Sequence, residues 1–184
     1  MFQDEAHFQV QTSITRQWAP KGSEPKVMSK PGKQNVSYSG FLIPETGELF
    51  VSKPEWFNYE TAIQSFRDFI AAAPLQGGKK YCMVLDNAPW HQKAIRLIWK
   101  EQREEYQDIR DKMTYLSLPP YSPDLNPIEQ VWRITRKEVT HNRYYPGRQE
   151  LESELDAYYA ELRVPNEKLS SLCGFKCFRK ESMN

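Results

Sequence analysis

The spacing of apolar residues changes several times along the chain, and each change marks an element. The opening run Phe2-Gln-Asp-Glu-Ala-His-Phe-Gln-Val10 is strand-like. Residues 16 to 33 carry five basic residues, one acid, three prolines and two glycines, and read as loop with at most a short strand. Val36 to Ile43 and Glu48 to Val51 are β-rich runs separated by Pro-Glu-Thr-Gly, which predicts an antiparallel hairpin. Beyond Asn58, the apolar positions Tyr59, Ala62, Ile63, Phe66, Phe69, Ile70 and Ala73 follow helical spacing until Pro74. Tyr81 to Leu85 is an unbroken apolar run ending at Asp86, as expected of a central strand covered on both faces. A second helix is predicted from about Trp90 to about Ile109, with Ile95, Ile98, Trp99 and Tyr106 inward. Met113 to Leu118 reads as a short strand stopped by Pro119 and Pro120. This order implies an α/β fold, a mixed sheet flanked by helices.

The last strong helix is predicted to start at Asn126. Asparagine suits the N-cap, Pro127 the first helical position and Glu129 the third, which is capping-box spacing. Ile128, Val131, Trp132, Thr135 and Val139 then form one stripe, and Glu129, Arg133, Arg136 and Thr140 lie together on the neighbouring one.

Length and composition narrow the class without naming it. A chain of 184 residues favours one domain, and 39% hydrophobic residues suit a globular core. The formal net charge of +1 gives no bulk signal for nucleic acid, so only local clustering of charge carries one. No apolar run approaches the ~18 residues of a membrane span, and the acidic start MFQDEAH is unlike a signal peptide. A cytoplasmic location without membrane association is the expectation. Three cysteines (Cys82, Cys173, Cys177) are too few for a disulfide framework.

Three acids stand where chemistry is often placed: Asp4 within the opening strand, Asp86 at the end of a buried strand, and Glu129 in the first turn of a helix. Phosphodiester cleavage by two metal ions needs carboxylate oxygens converging on ions ~3.5–4 Å apart. Taken singly, Asp86-Asn-Ala-Pro also reads as a turn and Glu129 as a cap.

The strings DNAPWH (86 to 91) and LPPYSPDLNPIEQVW (118 to 132), with DEAHF (4 to 8) and RQWAPKG (16 to 22) upstream, resemble the DDE transposases, specifically the mariner-like insertion sequence 630 family, over roughly residues 3 to 145. The resemblance implies a ribonuclease H-like (retroviral integrase-type) fold and DNA strand cleavage and strand transfer supported by two Mg²⁺ or Mn²⁺ ions. Asp4, Asp86 and Glu129 take the places of the catalytic, metal-holding carboxylates. Residues 1–145 would be the catalytic domain and 146–184 a C-terminal helix and basic tail. Partners would be double-stranded DNA (transposon terminal repeats and target) and, because two ends are synapsed, a second copy of the chain. Only three residues precede Asp4, which leaves little backbone to anchor its strand. The helix-turn-helix region of such enzymes is expected to be absent, supplied by a separate reading frame or lost. The alternative is an inactive remnant that binds DNA weakly and without sequence preference.

The remaining polar residues are weighed in that frame. Asn87 is a turn residue or orients Asp86. His91 is a structural partner of the site or a contact to the scissile phosphate. Asp124 rivals Glu129 as third carboxylate, and the motif and cap favour Glu129. Arg133, Arg136, Lys137 and Arg143 form a local basic excess suited to DNA phosphates. Trp18 is expected to pack on the sheet rather than stack on a base. Asp4-Glu-Ala-His7 spells a helicase box without the phosphate loop such enzymes need upstream, and Cys173 with Cys177 lacks a second ligand pair for zinc.

Overall fold

In a computed structural model, which describes residues 1–29, 31–75 and 77–174, five strands form one mixed sheet in the order β3-β2-β1-β4-β5. β1 (Phe2–Gln9), β2 (Asn35–Ile43) and β3 (Glu48–Ser52) are antiparallel. β4 (Tyr81–Leu85) runs parallel to β1, and β5 (Met113–Ser117) parallel to β4. The strand carrying Asp4 is therefore central. Its short upstream segment does not weaken it, because β1 pairs with β2 along its whole length and Met1 bonds to β4 at both its amine and its carbonyl.

Helices cover both faces. On one, Ala6, Phe8, Tyr38 and Leu42 pack against Ile128, Val131 and Trp132 of α4 (Ile128–Thr135) and Leu151, Leu155 and Tyr159 of α5 (Arg148–Glu161). On the other, Phe41, Met83 and Leu85 meet α1 (Tyr59–Ala72) and α2 (Pro89–Ile95) through Ile63, Phe66, Phe69 and Ala94. Each large apolar side chain buried this way contributes ~1.5–3 kcal/mol. Asn58 caps α1 as its position suggests: its Oδ1 accepts from the Thr61 amide at 2.8 Å, and Thr61 Oγ1 accepts from the Asn58 amide at 3.0 Å. A short α6 (Glu167–Cys173) closes the first layer. No helix among the described residues is long and apolar enough to cross a membrane.

Several expectations give way. The helix predicted over 90 to 109 is broken: α2 widens into a π turn (Arg96–Lys100), Gln102 takes φ +51°, and a 3-10 turn (Glu104–Tyr106) leads into α3 (Gln107–Lys112). The polar run Glu101-Gln-Arg-Glu-Glu offers nothing to bury, and the Arg110 guanidinium ties the bend by donating to the carbonyls of Ile98 and Arg103. β4 buries Met83 and Leu85, but Cys82 is exposed and Val84 half-buried, so this strand is fully covered on one face only. Trp18 does not pack on the sheet; it is fully exposed on the irregular segment between β1 and β2.

Trp132 and Ile128 of α4 lie directly over Gly40, the residue paired with Asp4. A Cβ added there would lie 2.4 Å from Trp132 Cη2 and 3.1 Å from Ile128 Cδ1. Gly40→Ala should cost ~1–3 kcal/mol by overpacking. Gly32→Ala, where nothing lies within 4 Å, should leave the thermal midpoint unchanged. Thermal denaturation of the two variants checks this.

Candidate active site

Three different elements carry the three acids to one place. Strand β1 holds Asp4 on the face covered by α4, the β4–α2 turn holds Asp86, and the first turn of α4 holds Glu129. All three line a single open cleft of about 570 Å³, whose far wall is the loop Leu118 to Pro123. Asp124 is not among its lining residues; it faces the adjoining cleft, which Glu129 also lines.

The way α4 is set against β1 differs from the capping box read in the sequence. Asn126 makes no side-chain cap; its Nδ2 donates to the Gln3 carbonyl at 3.3 Å, tying the start of α4 to the strand beside Asp4. The helix start is closed by backbone alone, with the Glu129 amide donating to the Asn126 carbonyl at 3.1 Å. One helical turn on, Trp132 Nε1 donates to Asp4 Oδ2 at 3.0 Å. Two bonds thus fix the helix bearing Glu129 to the strand bearing Asp4.

Asp86 is held differently. Its Oδ1 accepts from the Ala88 amide at 2.9 Å and from His91 Nδ1 at 2.6 Å. The His91 hydrogen bond is the main reason its carboxyl sits below the usual carboxylate range. His91 is completely buried and its Nε2 lies 2.8 Å from Glu5 Oε1, so both ring nitrogens are engaged by carboxylates of the chain. Asn87 Nδ2 donates to the Leu118 carbonyl at 2.6 Å, joining the turn after β4 to the end of β5. Glu5 was not singled out in the sequence. Strand alternation puts it on the face opposite Asp4, but nothing in the sequence ties it to a residue 86 positions away.

Burial, then the neighbouring Glu129 and Glu5 carboxylates, push Asp4 up to about 7. A carboxyl raised from 3.8 in the unfolded chain to about 7 in the folded one favours folding fully below pH 3.8, and that contribution is lost as pH rises through 7. Ionised Asp4 thus costs at most about 4 kcal/mol above pH 7. Asp4→Asn, which keeps an acceptor for Trp132, should unfold at a higher temperature than the parent at pH 8 in chelator and at the same temperature at pH 4. Calorimetry at the two pH values reads the difference.

The family model of DDE superfamily endonucleases matches residues 1–152. The chain belongs to that family. The uncharacterized protein y4pE/y4sA of Sinorhizobium fredii is 32% identical over 68 residues, 37% of this chain and 42% of that protein. The crystal structure of the Mos1 mariner paired end complex with Mn superposes with a TM-score of 0.61 at 14% identity, covering 92% of this chain and 49% of that one. The Mos1 strand transfer complex gives 0.55 at 17% identity, covering 86% and 46%. The chain thus spans about half the length of these structures and less than half of the curated relative. The likeness shows the fold, the ribonuclease H-like mixed sheet flanked by helices.

The basic residues singled out in the sequence do not line one cleft. Arg133 and Arg136 line the cleft that adjoins the carboxylates at Glu129, with His141 beside them. Lys137 and Arg143 face a different groove with Glu138, Glu154 and Glu161, and Arg143 pairs with Glu154 at 3.5 Å. For divalent cations the donor types suit: three hard carboxylates, with the buried Oδ1 of Asn126 at the same cleft accepting no hydrogen bond among the described residues. No three Asp, Glu, His or Cys groups among the described residues are drawn together into a ready cage. Burial is the main cause that raises Asp4, and the neighbouring carboxylates that add to it are of the kind a cation relieves. Cys173 is buried, its thiol is pushed up to about 11 by burial, and Cys177 lies outside the described residues. The basic tail beyond residue 174 lies outside them as well.

Proposed function

We propose that this chain is the catalytic domain of a transposase that cleaves and joins DNA strands with the help of two Mg²⁺ or Mn²⁺ ions, Asp4, Asp86 and Glu129 being the carboxylates that hold them. The observation that carries the reading is one cleft lined by these three groups from three elements, with Asp4 driven toward neutrality by burial and by Glu129. When bound, the two ions activate the attacking oxygen and stabilise the leaving one. The protein's part is to present oxygens from rigid elements: Asp86 through its bonds to Ala88 and His91, Asp4 through Trp132, and Glu129 through the Asn126–Gln3 tie.

Substrate is double-stranded DNA, the terminal repeats and then the target. Arg133 and Arg136 meet its phosphates next to Glu129, supplying affinity without sequence preference. Lys137 and Arg143 serve a more distant stretch of backbone, since they face another groove. The similar solved structures are paired-end and strand-transfer complexes of Mos1, which supports two copies of the chain acting on two DNA ends.

The test is strand nicking of a duplex bearing the element's terminal repeat, with Mn²⁺ or Mg²⁺ and with chelator. Cleavage with metal and none with chelator is expected. DNA retention without nicking under any metal condition would leave the inactive remnant as the reading.

A further inference from the structure

The ring that holds Asp86 at the cleft is itself held by a buried carboxylate the catalytic reading does not use. His91 is fully buried beneath the β4–α2 turn, and each of its ring nitrogens is engaged by a different carboxylate: Nδ1 by Asp86 Oδ1 at 2.6 Å and Nε2 by Glu5 Oε1 at 2.8 Å. The Glu5 side chain is itself 7% exposed and is fixed by two further donors, Gln3 Nε2 at 2.9 Å and Trp90 Nε1 at 3.4 Å. Burying a carboxylate costs several kcal/mol unless its oxygens are satisfied, so a Glu placed here, with three N–H groups converging on it, has a defined task.

We infer that Glu5 is a positioning residue for Asp86, acting through the His91 ring: Glu5 fixes the imidazole, the imidazole holds Oδ1 of Asp86, and Oδ2 is left to the cleft. Three observations converge on this. Both hydrogen bonds to Asp86, from Ala88 and from His91, fall on the same oxygen, so the other is the one presented outward. Glu5 and Asp4 are consecutive residues on opposite faces of the central strand, so β1 supports the cleft from both sides of the sheet. Asp86 follows β4 on a turn and has about half its side chain exposed, so without the ring it has only the Ala88 amide to fix it. An imidazole oriented by a buried carboxylate and orienting a ligand in turn is the arrangement by which outer groups typically set metal affinity by 10–100-fold.

This inference rests on Asp86 being a metal ligand, and its test separates the two claims. Mn²⁺ uptake by the full chain is measured from the electron paramagnetic resonance of the free ion for the parent, Glu5→Gln, Glu5→Asp, Asp86→Asn and the Glu5→Asp/Asp86→Asn double variant. Glu5→Asp keeps the charge but is one methylene too short to reach His91; Glu5→Gln keeps the length without the charge. Both should weaken Mn²⁺ binding 10–100-fold, measured at a temperature at which each metal-free variant is folded by circular dichroism. In the Asp86→Asn background the Glu5 change should weaken it no further, since its effect passes through that side chain. Parent-like affinity in both Glu5 variants, or an equal loss with Asp86 already removed, overturns the positioning role. Should one variant not fold, the other decides. A parent that takes up no Mn²⁺ overturns the metal-centre reading and takes this inference with it.

Discussion

Asp86→Asn and Glu129→Gln should each lower strand nicking by at least about a thousandfold, about 4 kcal/mol of transition-state stabilisation, while duplex affinity stays within about threefold of the parent. Both substitutions remove a charge and almost no volume. Asn at 86 still offers an oxygen to the Ala88 amide, and Glu129 is exposed, so neither variant should lose its fold. The hydrogen bond from His91 keeps Asp86 ionised at every pH at which nicking is measured, so the charge lost is a full one. Affinity should survive because, on the proposed reading, phosphate contact falls to Arg133 and Arg136, which both variants leave intact. Asp124→Asn is the control: this exposed residue faces only the adjoining cleft, and nicking should remain near the parental rate. Parental activity in Asp86→Asn or Glu129→Gln would remove these residues from the reaction.

The elements that position the three acids were legible because each is defined locally. The run Tyr81 to Leu85 ends where the strand does, Asn58 and Pro74 bracket α1, and the stripe Ile128, Val131, Trp132, Thr135 and Val139 is buried as a unit. What was not legible depends on partners distant in sequence. The break after α2 is stabilised by Arg110 reaching back to Ile98 and Arg103, which no helical periodicity records. Asn126 has the residue type and spacing of a cap, yet its amide is drawn to the Gln3 carbonyl, 123 residues away, because the start of α4 is pressed against β1. Trp18 was expected to pack on the sheet, but it lies fully exposed on a segment without regular structure, and an isolated tryptophan in such a segment carries no periodicity from which its burial could be read. Glu5 followed the conspicuous Asp4 and gave no sign of its own, since its significance lies in His91.

That buried histidine makes the second large effect. His91→Ala should destabilise the protein by about 3–5 kcal/mol at pH 6, because it leaves the enclosed Glu5 carboxylate facing a cavity where a cationic ring had stood. Burial alone would lower the imidazole, but the hydrogen bonds and charges of Asp86 and Glu5 outweigh it and raise the group from 6.5 to about 9. A histidine whose folded value lies above its unfolded one stabilises fully below pH 6.5, and that contribution is lost as pH rises through 9. The gap between parent and His91→Ala should therefore be widest at pH 6 and narrow by pH 9.5, where what remains is the lost packing of the ring. Asp4 titrates lower, from 3.8 toward about 7, and is common to both proteins, so it cancels in the comparison. Guanidinium denaturation of the two proteins at pH 6 and 9.5 gives the gap directly. A difference that does not change with pH would mean that the ring is neutral in the folded state.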